Sequence, residues 1–65
     1  MSVDAERIQP GKVFRGRDGH SREVVALVDG RVCYKFPPGD GEFWLSLRYF
    51  CRLATEEVPQ EALHA

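Results

Sequence analysis

The stretch VVALVDGRVCYKF, residues 24–36, restricts what this chain can fold into more than any other. Asp-Gly between two apolar runs is a strong hairpin signal, because a type I′ turn needs positive φ at both central residues. With Asp29-Gly30 as a two-residue turn, Val28 faces Arg31, Leu27 faces Val32 and Val25 faces Tyr34. Side chains alternate along a strand. One face of the hairpin then carries Val25, Leu27, Val32, Tyr34 and Phe36, and the other Val24, Ala26, Val28 and Cys33. Neither face belongs in water, and a chain of 65 residues has little with which to cover both.

The other turn signals divide the remainder. QPG at 9–11, DG at 18–19 and PPGDG at 37–41 bound further apolar runs. Strands are expected over 12–17, 21–28, 31–36 and 42–46, joined as an antiparallel meander. After the fourth strand, Leu47, Phe50, Cys51, Ala54 and Val58 recur at the spacing of one helical stripe. Ser46 stands in the N-cap position and Pro59 blocks continuation, so a helix is expected over 46–57, laid on one face of the sheet with Cys51 able to approach Cys33. A rival reading stops that helix after one turn and uses CRLATEEV as a fifth strand closing a barrel. The fold class is mostly β with a C-terminal helix, a four-stranded meander curled as a small half-barrel. Residues 1–8 read as a disordered lead-in, 9–58 as one small domain and 59–65 as a frayed tail.

The order PGKVFRGRDG, REVVALVDGRVCYKF, FWLSLRYF is similar to small SH3-like β-barrel proteins, including ones of bacteria and phages. The resemblance covers about residues 9–53 and is carried by Pro-Gly before the first strand, a meander with glycine turns and a late helical turn. It implies a binding module rather than an enzyme and brings no particular residues with it.

Composition narrows the setting. Hydrophobic residues make up 43% and charged residues 29%, as in ordinary globular proteins. No run of about 18 apolar residues could span a bilayer, and the N-terminus lacks a signal peptide's apolar segment, so a cytoplasmic location is expected. Cys33 and Cys51 fit that setting as unpaired thiols; with His20 and His64 they have no zinc-binding spacing, and neither metal nor cofactor is expected.

No nucleophile elbow or phosphate loop is present. Asp18 with His20, and Asp40 with Glu42, are acid–base candidates, but both pairs lie in turns, where such residues serve backbone geometry. No catalysis and no small-molecule substrate are expected. The net charge of −1 conceals +3 over residues 12–52, with −1 and −3 in the flanks. If Asp18-Gly19 also forms a two-residue turn, Arg15 lies opposite Arg22, and Arg15, Arg17, Arg22 and Lys35 share one face with His20 at its tip. Such a face could hold an anion or nucleic acid. A four-residue loop there dissolves the pairing, and Glu56 and Glu57 could instead fold back onto the bases.

Aromatic residues crowd nearby. Phe43 and Trp44 must point to opposite faces of the fourth strand. Phe43 and Phe50 are expected in the core, and Tyr34, Trp44 and Tyr49 are the interface candidates. The expected function is a non-catalytic interaction module that binds another protein, or itself as a homodimer, through apolar and aromatic surface. The alternative is a nucleic-acid-binding accessory protein using the basic sheet face.

Overall fold

The computed structural model describes residues 3–59. Five strands, β1 (Val13–Gly16), β2 (Ser21–Val28), β3 (Arg31–Lys35), β4 (Glu42–Ser46) and β5 (Ala54–Val58), form one antiparallel open sheet in the order β4-β3-β2-β1-β5. A short helix, α1 (Leu47–Leu53), joins β4 to β5, and a 3-10 turn at Ala5–Arg7 precedes β1. The expected meander is β1 to β4; the expected count of four strands is corrected to five.

The central hairpin forms as its turn chemistry requires. Asp29 and Gly30 have φ of 48° and 75°, and Val28, Leu27 and Ala26 pair with Arg31, Val32 and Cys33. A bulge at Val25, between Val24 and Ala26, then brings Val24, rather than Val25, opposite Tyr34. A bulge adds a residue to one strand and increases its twist, which curls the sheet. Val24 thereby joins Val32 and Tyr34 in the core, while Leu27 and Val28 stay exposed near the turn.

The first hairpin departs from its expected register. Its loop spans four residues, 17–20, closed by the Gly16 N–H on the His20 carbonyl at 2.9 Å. Asp18 Oδ1 accepts the His20 N–H at 3.0 Å, an Asx turn that stabilises the longer loop. Phe14 therefore faces Arg22 and Arg15 faces Ser21.

The helix is also shorter than the stripe suggests. Ser46 caps it, its Oγ accepting the Tyr49 N–H at 3.1 Å, but it ends at Leu53 rather than reaching residue 57. Two physical reasons favour the strand. Glu56 and Glu57 in a last helical turn would oppose the helix dipole. As β5, residues 54–58 instead cover the open edge of β1, and Thr55 Oγ1 donates to the Arg15 carbonyl at 3.0 Å. The rival reading placed a strand here; the helix before it is simply longer than one turn.

The core sits between the sheet and α1. Phe14, Val24, Val32, Phe50, Cys51 and Ala54 form it with Val3 and Ile8. The Phe50 ring stands edge-on to Phe14 at 6.1 Å and tilted on Tyr34 at 5.6 Å, so α1 covers the inner face of the sheet. The lead-in expected to be disordered contributes two of these side chains, and the Val3 N–H donates to the Cys51 carbonyl at 3.1 Å. A core this small gains from every apolar group the chain can offer. Residues 1–2 of that lead-in, and 60–65 of the expected tail, lie outside the described residues. Cys33, paired with Ala26 and Trp44, is buried on the other face; both thiols are free. None of the described helices is long and apolar enough to cross a membrane.

Candidate functional site

The basic residues singled out in the sequence do not share a face. Arg22 points inward, opposite Phe14, and is only 6% exposed. Its guanidinium is held by both carboxylate oxygens of Asp18, Nη1 to Oδ1 at 3.1 Å and Nη2 to Oδ2 at 2.7 Å, and Nη1 also donates to the His20 carbonyl at 3.2 Å. The Phe36 ring lies 4.9 Å from it and the Tyr34 ring 5.8 Å, a cation packed between aromatic faces and one acid. Gly16 makes room for this arrangement, since a Cβ there would collide with the guanidinium. The hydrogen bonds from Arg22, and then from the His20 N–H, hold Asp18 well below the ordinary carboxylate range, and Asp18 in turn raises Arg22.

Arg15 and Lys35 point to the outer face of the sheet and meet acids. Arg15 Nη1 bonds Glu56 Oε1 at 2.8 Å. Lys35 stands between Glu23 on β2 and Glu42 on β4. Glu57 takes Arg7 at 3.0 Å and Lys12 at 3.2 Å, and these two bonds lower its carboxyl. Glu56 and Glu57 of β5 have folded back onto Arg15, Arg7 and Lys12, and the expected basic sheet face does not form. The cause is the four-residue loop, which shifts β1 against β2 by one position and so sends Arg22 to the opposite face from Arg15. Arg17 remains at the turn; it lines a shallow cleft with Tyr49, Arg52 and Leu53. His20 is exposed, its ring edge-on to Phe36 at 6.2 Å.

The aromatic residues separate into two surfaces. On the inner side Tyr34 stacks on Phe43 at 5.8 Å, and Phe36 meets Tyr34 at 5.6 Å and Phe43 at 5.5 Å. Tyr34 is half-buried there, while Phe43, expected in the core, is 47% exposed. The reason is position, since Phe43 lies on the edge strand with neighbours on one side only. On the outer side Trp44 is 53% exposed and lines a shallow cleft with Val28, Asp29 and Arg31. Tyr49, on α1, is 57% exposed.

These residues converge on β4. Leu45 is the best covered of its five residues, and Phe43 and Trp44 present aromatic surface on its two faces. Among the described residues the edge is also open along the backbone. The Leu47 N–H donates to the Gly30 carbonyl at 2.8 Å, and bonded pairs alternate along an antiparallel ladder. Leu45 and Phe43 are therefore the β4 residues bonded to β3, and the backbone N–H and C=O groups of Trp44 and Glu42 point away from the sheet. Sequence reasoning missed Phe43 as surface because nothing in a local pattern tells an edge strand from a central one, and it missed Leu27 and Val28, which end the central strand β2 beside the turn and lie beyond the core.

The thiols are unpromising for chemistry. Burial, with Glu42 second, pushes Cys33 up, and burial with Asp4 second does the same for Cys51, so neither is activated as a thiolate. Among the described residues no three His, Cys, Asp or Glu side chains come together as a metal site. Compared with protein-family models, with curated proteins and with solved structures, the chain finds no match.

Proposed function

We propose that this chain is a non-catalytic interaction module that binds another protein, or itself, through the apolar and aromatic surface of β4. The observation that carries this reading is the state of that strand: an open backbone edge flanked by Phe43 on one face and Trp44 on the other, both about half exposed. An exposed edge adds an incoming strand through its backbone, and side-chain surface beside it supplies selectivity. Aromatic groups beside such an edge are the residues that most often anchor interfaces. The non-catalytic part rests on Asp18, the most plausible base, being committed to Arg22 and the His20 N–H. The SH3-like half-barrel belongs to the same proposal; it is supported by β1 pairing with both β2 and β5 and by a helix between the last two strands. A cytoplasmic location is supported by the two free thiols.

A selection of displayed random peptides on the dilute protein tests the module. Enriched peptides should be extended, with alternating apolar residues, and Trp44→Lys should abolish their binding while the circular dichroism spectrum is kept. Peptides that bind the parent and Trp44→Lys equally would sink the assignment to β4.

A second reading, a nucleic-acid-binding accessory protein, has one observation in its favour. Arg17, Arg52 and exposed Tyr49 line a common cleft, which offers two cations and a stacking ring away from the acids of β5. Comigration with a mixed-sequence oligonucleotide at low salt, lost at high salt and lost in Arg17→Ala/Arg52→Ala, is the result it requires.

A further inference from the structure

We infer that the occupant of the β4 edge is a second copy of this chain, added antiparallel about a twofold axis through Trp44. This rests on the reading of β4 as the binding surface and names its partner. The backbone comes first. Trp44 points both its N–H and its C=O outward, so two copies related by a twofold at this residue exchange both bonds with each other. The Ser46 N–H of each then meets the partner's Glu42 carbonyl, and the two sheets become one.

The side chains match in the same register. Trp44 lies beside the partner's Trp44 on the outer face, and Phe43 beside the partner's Leu45 on the inner face, so apolar groups meet apolar groups on both sides. Charge selects the antiparallel arrangement. Around the Glu42 end of β4, Asp40, Glu42 and Glu23 outnumber Lys35; around the Ser46 end, Arg31 and Arg48 outnumber Asp29. Antiparallel pairing brings the acidic end of each copy to the basic end of the other, twice per dimer. A parallel pairing would set Glu42 against the partner's Glu42. Strand edges open to self-pairing are ordinarily interrupted by a lysine, a proline or a bulge. Between Glu42 and Ser46 the strand has none of these and pairs with β3 without a break in register.

Sedimentation equilibrium over a wide concentration range, with emission from Trp44, the chain's single tryptophan, tests this. The expected result is a monomer–dimer equilibrium in which the emission moves to shorter wavelength as dimer forms. Trp44→Lys, with two lysines meeting on the axis, should be monomeric throughout. Should that variant not fold, a charge exchange decides. Glu42→Arg or Arg31→Glu alone should weaken dimerisation by about tenfold, and the two together should restore it. A parent that stays monomeric while edge-binding peptides are still selected overturns self-pairing and leaves the module reading standing. A monomer that selects no peptides overturns both. A dimer that is indifferent to Trp44→Lys and to the charge exchange uses another surface, and overturns the proposal.

Discussion

The two edges of the sheet, β4 and β5, are five residues each and are finished in opposite ways. β5 is guarded. A bulge opposite Arg15 and Gly16 breaks its regularity, Thr55 bonds back to β1, and Glu56 and Glu57 tie it to Arg15, Arg7 and Lys12. β4 is regular, carries one charge in five residues, and shows half of two aromatic side chains to solvent. Bulges and charges are what protect an edge from adding another strand. A chain this small has core enough for about one buried layer. Its buried side chains come from β1, β2, β3, β5 and α1, and β4, which adds only the partly buried Leu45, is left with surface to share.

The comparison is sharpest where both edges depend on one side chain. Phe50 packs on Phe14 of β1 and on Tyr34 of β3, between the two edges. Phe50→Ala should cost about 3–5 kcal/mol in denaturant unfolding, the usual range for a buried phenylalanine. A loss below about 1 kcal/mol would mean that α1 is not what holds the edges to a common core.

Gly30→Val tests the turn that sets the β4 side of the sheet. Space around a Cβ at Gly30 is open, so the whole cost is that of holding a β-branched residue at φ 75°. About 1–3 kcal/mol is expected, and Gly30→Asn should recover most of it, since asparagine tolerates the left-handed region. Equal losses for the two variants would point to packing rather than backbone strain.

The edges themselves should answer truncation unequally. Val58, buried opposite Val13 on β1, should lose about 2 kcal/mol on substitution with alanine, two methyl groups plus unfilled space. Trp44→Ala removes far more surface, yet much of it is solvated, and in the monomer the loss should stay under about 1 kcal/mol. If Trp44→Ala unfolds the dilute protein more readily than Val58→Ala, the β4 tryptophan is a structural cover for Cys33 rather than binding surface.

What could be read in the sequence was what is decided locally. Ser21–Val28 and Glu42–Ser46 have the bounds that their flanking turn residues imply, and Asp29-Gly30 makes the turn its dihedral preferences dictate. What could not be read depends on distant groups. Ala54 and Val58, four apart, suit one face of a helix as well as alternate positions of a strand, so spacing alone does not separate them; the vacant edge of β1 does. Arg22 looked like surface because its burial depends on Asp18 reaching around a four-residue loop and on Phe36, the residue after β3. Of the interface candidates Tyr34, Trp44 and Tyr49, the last two are exposed and Tyr34 is half-buried against the core. Phe43 was missed because its exposure follows from strand order, which no local pattern contains.

The smallest expected effect tests the guarded edge by pH. Glu57 bonds Arg7 and Lys12, and its carboxyl lies below the ordinary value of about 4.3. A carboxyl lowered by folding contributes stability that is present above its unfolded value and is lost as pH falls through the lower, folded one. Glu57→Gln should therefore melt slightly below the parent at neutral pH, by a margin that is flat down to about pH 5. Below that the margin should close as the parent's own carboxyl takes up its proton. Salt should shrink it at neutral pH, because Arg7 and Lys12 are each about half exposed and their attraction is screened. The matching change on β4, Glu42→Gln, tests whether the two edges differ in kind. Glu42 is bound into no ion pair among the described residues, so its removal should leave the monomer's melting almost unmoved across the same pH range. Equal pH-dependent shifts for the two variants would mean that β4 is held by charge as β5 is, and the asymmetry between the edges would rest on the bulge and the aromatic side chains alone.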